Sequence, residues 1–114
     1  MDYKTARNFL ITQGKALETQ KNPDAFLLRL KQGLPPIPGQ LTSILLALKI
    51  VFDGAKDSST LERELVSALY QLALESHLLF EEGRSRGVEW PPLLKEDIKR
   101  VRLAVGSIFS SQWL

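Results

Sequence analysis

Cysteine is absent from this chain of 114 residues, and histidine occurs once, at His77. Without cysteine the protein can form no disulfide and offers no thiolate, so a secreted disulfide scaffold is excluded. A zinc ion would have to take carboxylates for nearly all of its ligands, which is unusual. We therefore predict no metal site, and we interpret His77 as a half-exposed residue on a helix.

Motifs of the common hydrolases and nucleotide-binding enzymes are also missing. The chain contains no Gly-x-Ser-x-Gly sequence, and Gly14-Lys15 lacks the glycine five residues earlier that a phosphate loop requires. Seryl catalysis would in addition need a positioned base, for which His77 is the only imidazole. We predict a non-enzymatic protein with no catalytic or cofactor-binding residues.

The sequence has no long apolar run and no strong excess of charge of one sign. No stretch approaches the roughly 20 apolar residues that span a bilayer, and the first residues do not read as a signal peptide. The 15 Lys and Arg residues are nearly balanced by 13 Asp and Glu, giving a net charge of +2, which is too small to indicate nucleic-acid binding. We predict a cytoplasmic protein that binds neither membranes nor nucleic acids.

What the chain does have is helical periodicity. Apolar residues recur at spacings of three and four in five segments, the last of which begins near residue 92. The other four segments are residues 2–20, 23–32, 40–54 and 59–82. A hydrophobic fraction of 44% and a length of 114 residues suit one globular domain, 1–114. The sequence predicts an all-α fold, a compact single-domain bundle of about five helices.

Residues 59–82 carry the strongest periodicity, and we place their helix at the centre of the bundle. Ser59 and Glu62 have the spacing of a capping box at its start. The short polar turn before Ser59 predicts an antiparallel hairpin with the helix of residues 40–54. The side chains expected among the most buried are Leu45, Leu48, Phe52, Leu65, Leu69, Leu72, Ile98, Val101 and Val105.

Residues 34–39 and 81–92 are predicted connectors. Near each of them a helix-ending glycine, Gly33 or Gly87, precedes two consecutive prolines, which cannot continue a helix. We interpret this similarity as a shared way of ending one helix and starting the next, and not as a duplication.

Trp90 lies in the longer connector, where it either covers the end of the core or contacts a partner. Tryptophan and arginine are the residues that most often dominate interface energies. We therefore predict a protein-interaction or regulatory module that binds a protein partner of unknown identity, with a homodimer as a competing use of the surface. The candidate partner-binding residues are Arg84, Arg86, Val88, Glu89, Trp90, Trp113 and Leu114. The alternative is a small enzyme or a binder of an anionic metabolite that uses Arg84, Arg86 and Glu89.

A basic patch lies on the last predicted helix. Its functional interpretation is contact with an acidic protein, a membrane or a nucleic-acid backbone. Because Glu96 and Asp97 are close in sequence, we interpret it as a solvated helix face. The cations are Lys95, Lys99, Arg100 and Arg102.

Three segments resemble those of a family of short cyanobacterial helical proteins: residues 13–18, 35–40 and 87–94. Some members of that family are labelled dethiobiotin synthetase, an ATP-using enzyme that would be expected to carry a phosphate loop in a longer α/β domain. The resemblance implies a cyanobacterial cytoplasm and assigns no catalytic residue.

Overall fold

A computed structural model describes residues 1–113 and contains six helices there and no strand. The helices are α1 (Tyr3–Gly14), α2 (Ala16–Thr19), α3 (Phe26–Lys31), α4 (Gln40–Ala55), α5 (Arg63–Ser85) and α6 (Leu94–Ser110). The all-α fold class is confirmed. The predicted first helix is divided into α1 and α2 at Lys15, which accounts for the sixth helix. No helix in this part of the chain is long and apolar enough to cross a membrane.

Four helices, α1, α4, α5 and α6, build the bundle, and α3 packs on the outside of α5. Both α4 and α5 pack against α1 and α6, so they lie diagonally across the core. The start of α1 meets the end of α4 where Tyr3 lies against Gly54. The hairpin predicted for α4 and α5 is therefore wrong, because α1 occupies the place beside α5.

Contacts between α1 and α5 explain this order. Arg7 donates two hydrogen bonds to the carboxylate of Glu62, at 2.9 and 2.6 Å. Further along, a Cβ on Gly14 would lie 2.2 Å from the carbonyl oxygen of Ala68. Only glycine allows the two backbones to approach so closely, and the long-range ion pair holds the helices parallel.

The start of α5 also differs from the prediction. Glu62 binds Arg7 instead of completing a capping box with Ser59, and Ser58 makes hydrogen bonds with the backbone of Thr60. The helix consequently begins at Arg63. At its other end it continues to Ser85, so the second connector is residues 86–93 and not 81–92.

Most of the predicted core is buried, with Leu48, Leu69 and Val101 fully inaccessible to solvent. Eight of the nine side chains expected in the core are buried, while Leu45 is only half-buried. Leu45 lies at the edge between α4 and α6, beside a shallow hollow that contains Leu103. The short helix α3 adds Phe26 to the core. The backbone N–H of Phe26 donates to the buried side-chain oxygen of Gln13 at 3.2 Å.

Candidate partner-binding end of the bundle

The two proline-containing connectors follow helices that end in the same way. Gly33 after α3 and Gly87 after α5 have φ angles of +76° and +90°, a region that disfavours other residues. In each case the N–H of the next residue donates to the carbonyl five residues earlier, at 2.9 Å. Both helix ends are Schellman motifs, which is the structural basis of the glycine-proline similarity in the sequence.

These connectors meet at one end of the bundle. A Cβ on Gly33 would lie 3.3 Å from the side chain of Val88. Next to this contact, Pro36 and Pro91 help to line an open hollow of about 230 Å³. Thr42 and Asp97 are its polar side chains, and its other lining residues are Ile37, Gly39, Leu41, Leu93 and Leu94. We call this surface, residues 33–39 with residues 86–93, the proline end.

Three large apolar side chains are exposed on the proline end: Leu34, Ile37 and Leu93. Leu93 is the most exposed of the large apolar residues within 1–113, at 71%. None of the three is among the candidate partner-binding residues predicted from the sequence. The signal that picked Trp90, a large apolar residue outside the regular helical stripes, applies equally to all three and could have found them.

Trp90 closes the end of the core beneath this surface. Its indole Nε1 donates to the carbonyl oxygen of Phe80 at 2.9 Å, and the two rings stack with centroids 5.9 Å apart. A Cβ on Gly83 would lie 2.4 Å from the indole, so the helix has room for the ring only because glycine stands there. Trp90 is half-buried, and its ring packs against Phe80 and Gly83.

The charged candidates lie on the rim of the same end. Arg84, in the last turn of α5, pairs with Glu81 at 2.6 Å. Arg86 and Glu89 are exposed and form no ion pair within residues 1–113. Val88 is half-buried against Gly33. The structure thus brings five of the seven candidate residues together.

Trp113 is not part of the proline end. It packs on Phe52 with ring centroids 5.1 Å apart, and the Lys49 ammonium lies 4.5 Å from the centre of the indole. Phe52 is near the end of α4, about 18 Å along that helix from its start at Gln40, which adjoins the proline end. Leu114 lies outside the described residues.

The proline end offers shape and apolar surface more than reactive groups. Its hollow is smaller than the roughly 300 Å³ at which small-molecule sites begin, and Arg84, Arg86 and Glu89 do not line it. Within residues 1–113 no group of three or more His, Cys, Asp or Glu side chains could hold a metal ion. No protein-family model matches the chain, and no curated protein or solved structure resembles it at a significant level.

Proposed function

We propose that this protein is a non-enzymatic interaction module that binds a protein partner at the proline end. The observation that carries the proposal is the exposure of Leu34, Ile37 and Leu93 on the proline end, where Ile37 and Leu93 line an open hollow. Exposed apolar side chains gathered at one place, rather than scattered singly, mark protein-interaction surfaces. An apolar side chain of the partner would occupy the hollow between the two connectors.

Rigidity of the surface supports the same conclusion. Each connector begins with a Schellman motif and continues with two or more prolines, whose φ angles are fixed. The side chain of Arg29 donates a further hydrogen bond to the carbonyl of Pro35 at 2.7 Å. A surface that is already ordered loses little conformational entropy when a partner binds, so a larger share of the contact energy becomes affinity.

Charge on the rim gives the surface its specificity. Arg86 and Glu89 are available to a partner's side chains, since neither forms an ion pair within residues 1–113. Trp90 contributes by holding the connector in place and not as the anchor itself. The alternative function, binding of an anionic metabolite, has less support because Glu81 already neutralises Arg84.

Site-specific photo-crosslinking tests the proposal. A photoreactive residue would replace Leu93 or, as the matched control, Leu46, an exposed leucine on α4 away from the proline end. In cells that express the protein, we expect one partner to crosslink at position 93 and not at position 46. Ile37→Asp should abolish that crosslink in a protein that remains folded by circular dichroism. A set of crosslinked proteins that is the same at both positions, or unchanged by Ile37→Asp, would refute the proposal.

A further inference from the structure

One glycine in the chain has no role in the fold. Gly33, Gly39 and Gly87 have positive φ angles, and each of the helical glycines Gly14, Gly54 and Gly83 lies against another part of the chain. Gly106 is different, because it is exposed within α6, four residues before the end of the helix, and a Cβ there would meet nothing within 4 Å. Glycine weakens a helix interior relative to alanine, so its presence at an open position requires another explanation.

Elsewhere in this bundle, a helical glycine marks the place where another group approaches the helix. The ring of Tyr3 lies against Gly54, and the indole of Trp90 lies against Gly83. Gly106 provides the same kind of space, but it opens outward. We infer that a group from outside the chain occupies it.

The surroundings of Gly106 indicate what that group is. Along α6, Lys95, Lys99, Arg102, Gly106 and Phe109 recur at spacings of four and three, so they lie on one line down the helix. All five are exposed. We call this line the α6 stripe; its first half is cationic, and its second half is a glycine followed by an aromatic ring.

The three cations of the stripe lie outside the ion pairs of residues 1–113. Asp97 pairs with Arg100 at 3.1 Å, but Lys95, Lys99 and Arg102 form no ion pair with any described residue. The sequence predicts that Glu96 and Asp97 compensate this basic patch, whereas in the structure Asp97 pairs with Arg100 alone. Three positive charges thus lie within about 10 Å along one side of α6.

An apolar groove runs beside the second half of the stripe, between α5 and α6. It has a volume of about 220 Å³, with Arg102 at its edge. Its other lining residues are Tyr70, Ala73, Leu74, Val105 and Phe109. The groove has room for a leucine-sized side chain next to the open space over Gly106.

We propose that the α6 stripe binds an acidic amphipathic helix of a partner protein. The partner's carboxylates, spaced like Lys95, Lys99 and Arg102, would pair with these cations, and its apolar residues would enter the groove beside Gly106. Glycine at position 106 lets a helix that lies along α6 approach closely. Charge complementarity favours an acidic partner over a second copy of the chain, because Lys95, Lys99 and Arg102 form no ion pair with any described residue and the chain itself has a net charge of +2.

A designed peptide of about 20 residues, long enough to form a helix in water, can serve as the probe. It carries glutamates at positions i, i+4 and i+7 and leucines at i+11 and i+14, and it is made in both chain orders with a fluorescent label. Fluorescence anisotropy should show binding by one order that weakens as salt is added. The same peptide with glutamine in place of glutamate should bind at least tenfold more weakly.

Four variants test the geometry. Arg102→Gln should weaken binding about three- to fivefold, whereas Arg100→Gln, the same change on the same helix at a paired arginine, should change it less than twofold. Gly106→Leu should weaken binding more than tenfold by filling the space, yet melt no lower than the wild type since nothing is in its way. Leu93→Gln, which removes the exposed leucine of the proline end without adding a charge near Lys95, should leave the affinity unchanged, and this separates the inference from the function proposed for the proline end.

Several results would overturn the inference. One is a dissociation constant above about 1 mM for both chain orders of the glutamate peptide. Another is an equal loss of peptide affinity in Arg102→Gln and Arg100→Gln. The third is an unchanged peptide affinity in Gly106→Leu. Binding of a short DNA duplex or of vesicles with anionic lipid that depends on Arg102, while the peptides do not bind, would assign the stripe to phosphate groups. Light scattering that shows a dimer disrupted by Gly106→Leu would assign it to a second copy of the chain.

Discussion

At the scale of single residues, Trp90 and Gly83 form one structural unit. The indole lies over the glycine and donates its hydrogen bond to the backbone of the same helix. The sequence placed Trp90 in a connector but could not determine whether it faces inward. That depends on Gly83 being inside α5, whereas glycine in a sequence usually favours the end of a helix.

This unit predicts different roles for the two tryptophans. Trp90→Ala should lower the free energy of unfolding by about 2–4 kcal/mol, less than for a fully buried tryptophan since the ring is half-buried. Trp113→Ala should lower it by less than about 1 kcal/mol, because that ring is 44% exposed. Urea denaturation followed by circular dichroism gives both values. An equal decrease in the free energy of unfolding for the two variants would mean that Trp90 does not pack against Gly83 and Phe80.

At the scale of helices, periodicity was sufficient to find the long elements but not their ends. The apolar stripe of residues 59–82 indicates a helix, and Ser59 with Glu62 indicates its start by a local rule. In the fold, Glu62 instead accepts a hydrogen bond from Arg7, which lies on a helix distant in sequence. A boundary set by such a long-range contact cannot be read from neighbouring residues.

The same contacts predict how stability depends on pH. Hydrogen bonds from Thr5 hold the pKa of Asp2 below its ordinary value, and those from Arg7 do the same for Glu62. A carboxyl group whose pKa is lower in the folded chain stabilises the fold fully above its unfolded pKa, and this contribution is lost as pH falls through the folded pKa. The free energy of unfolding should therefore decrease from about pH 5 downward.

Glu62→Gln isolates one part of this effect. The variant should be less stable than the wild type at pH 7, and its stability should fall less steeply below about pH 5, since one of the titrating groups is gone. The control is Glu82→Gln, at an exposed carboxyl on α5 that forms no ion pair within residues 1–113. Urea denaturation at a series of pH values would count against the ion pair if both variants had the same slope.

At the scale of the whole molecule, the sequence predicted the class of fold and most of the core but not which helices are neighbours. The broad apolar surface of α4 indicated burial by several partners, as observed with α1 and α6. The short turn after α4 favoured α5 as its direct neighbour. That inference failed because Gly14 lets α1 pack closely on α5. Apolar periodicity does not indicate which pairs of helix backbones can approach each other closely.

Because the chain contains no cysteine, spin labels at introduced pairs can measure this arrangement directly. Leu46 on α4 and Leu74 on α5 are both exposed. Helix axes along each side of the bundle are about 10 Å apart, so outward-facing labels on diagonal helices should be about 25–30 Å apart. In a packed α4–α5 hairpin the labels would be about 10–15 Å apart. Leu46 and Leu103 on the adjacent helices α4 and α6 provide the short-distance reference in the same protein. A distance for the diagonal pair as short as that reference would show that α4 and α5 are neighbours, and it would contradict their diagonal arrangement across the core.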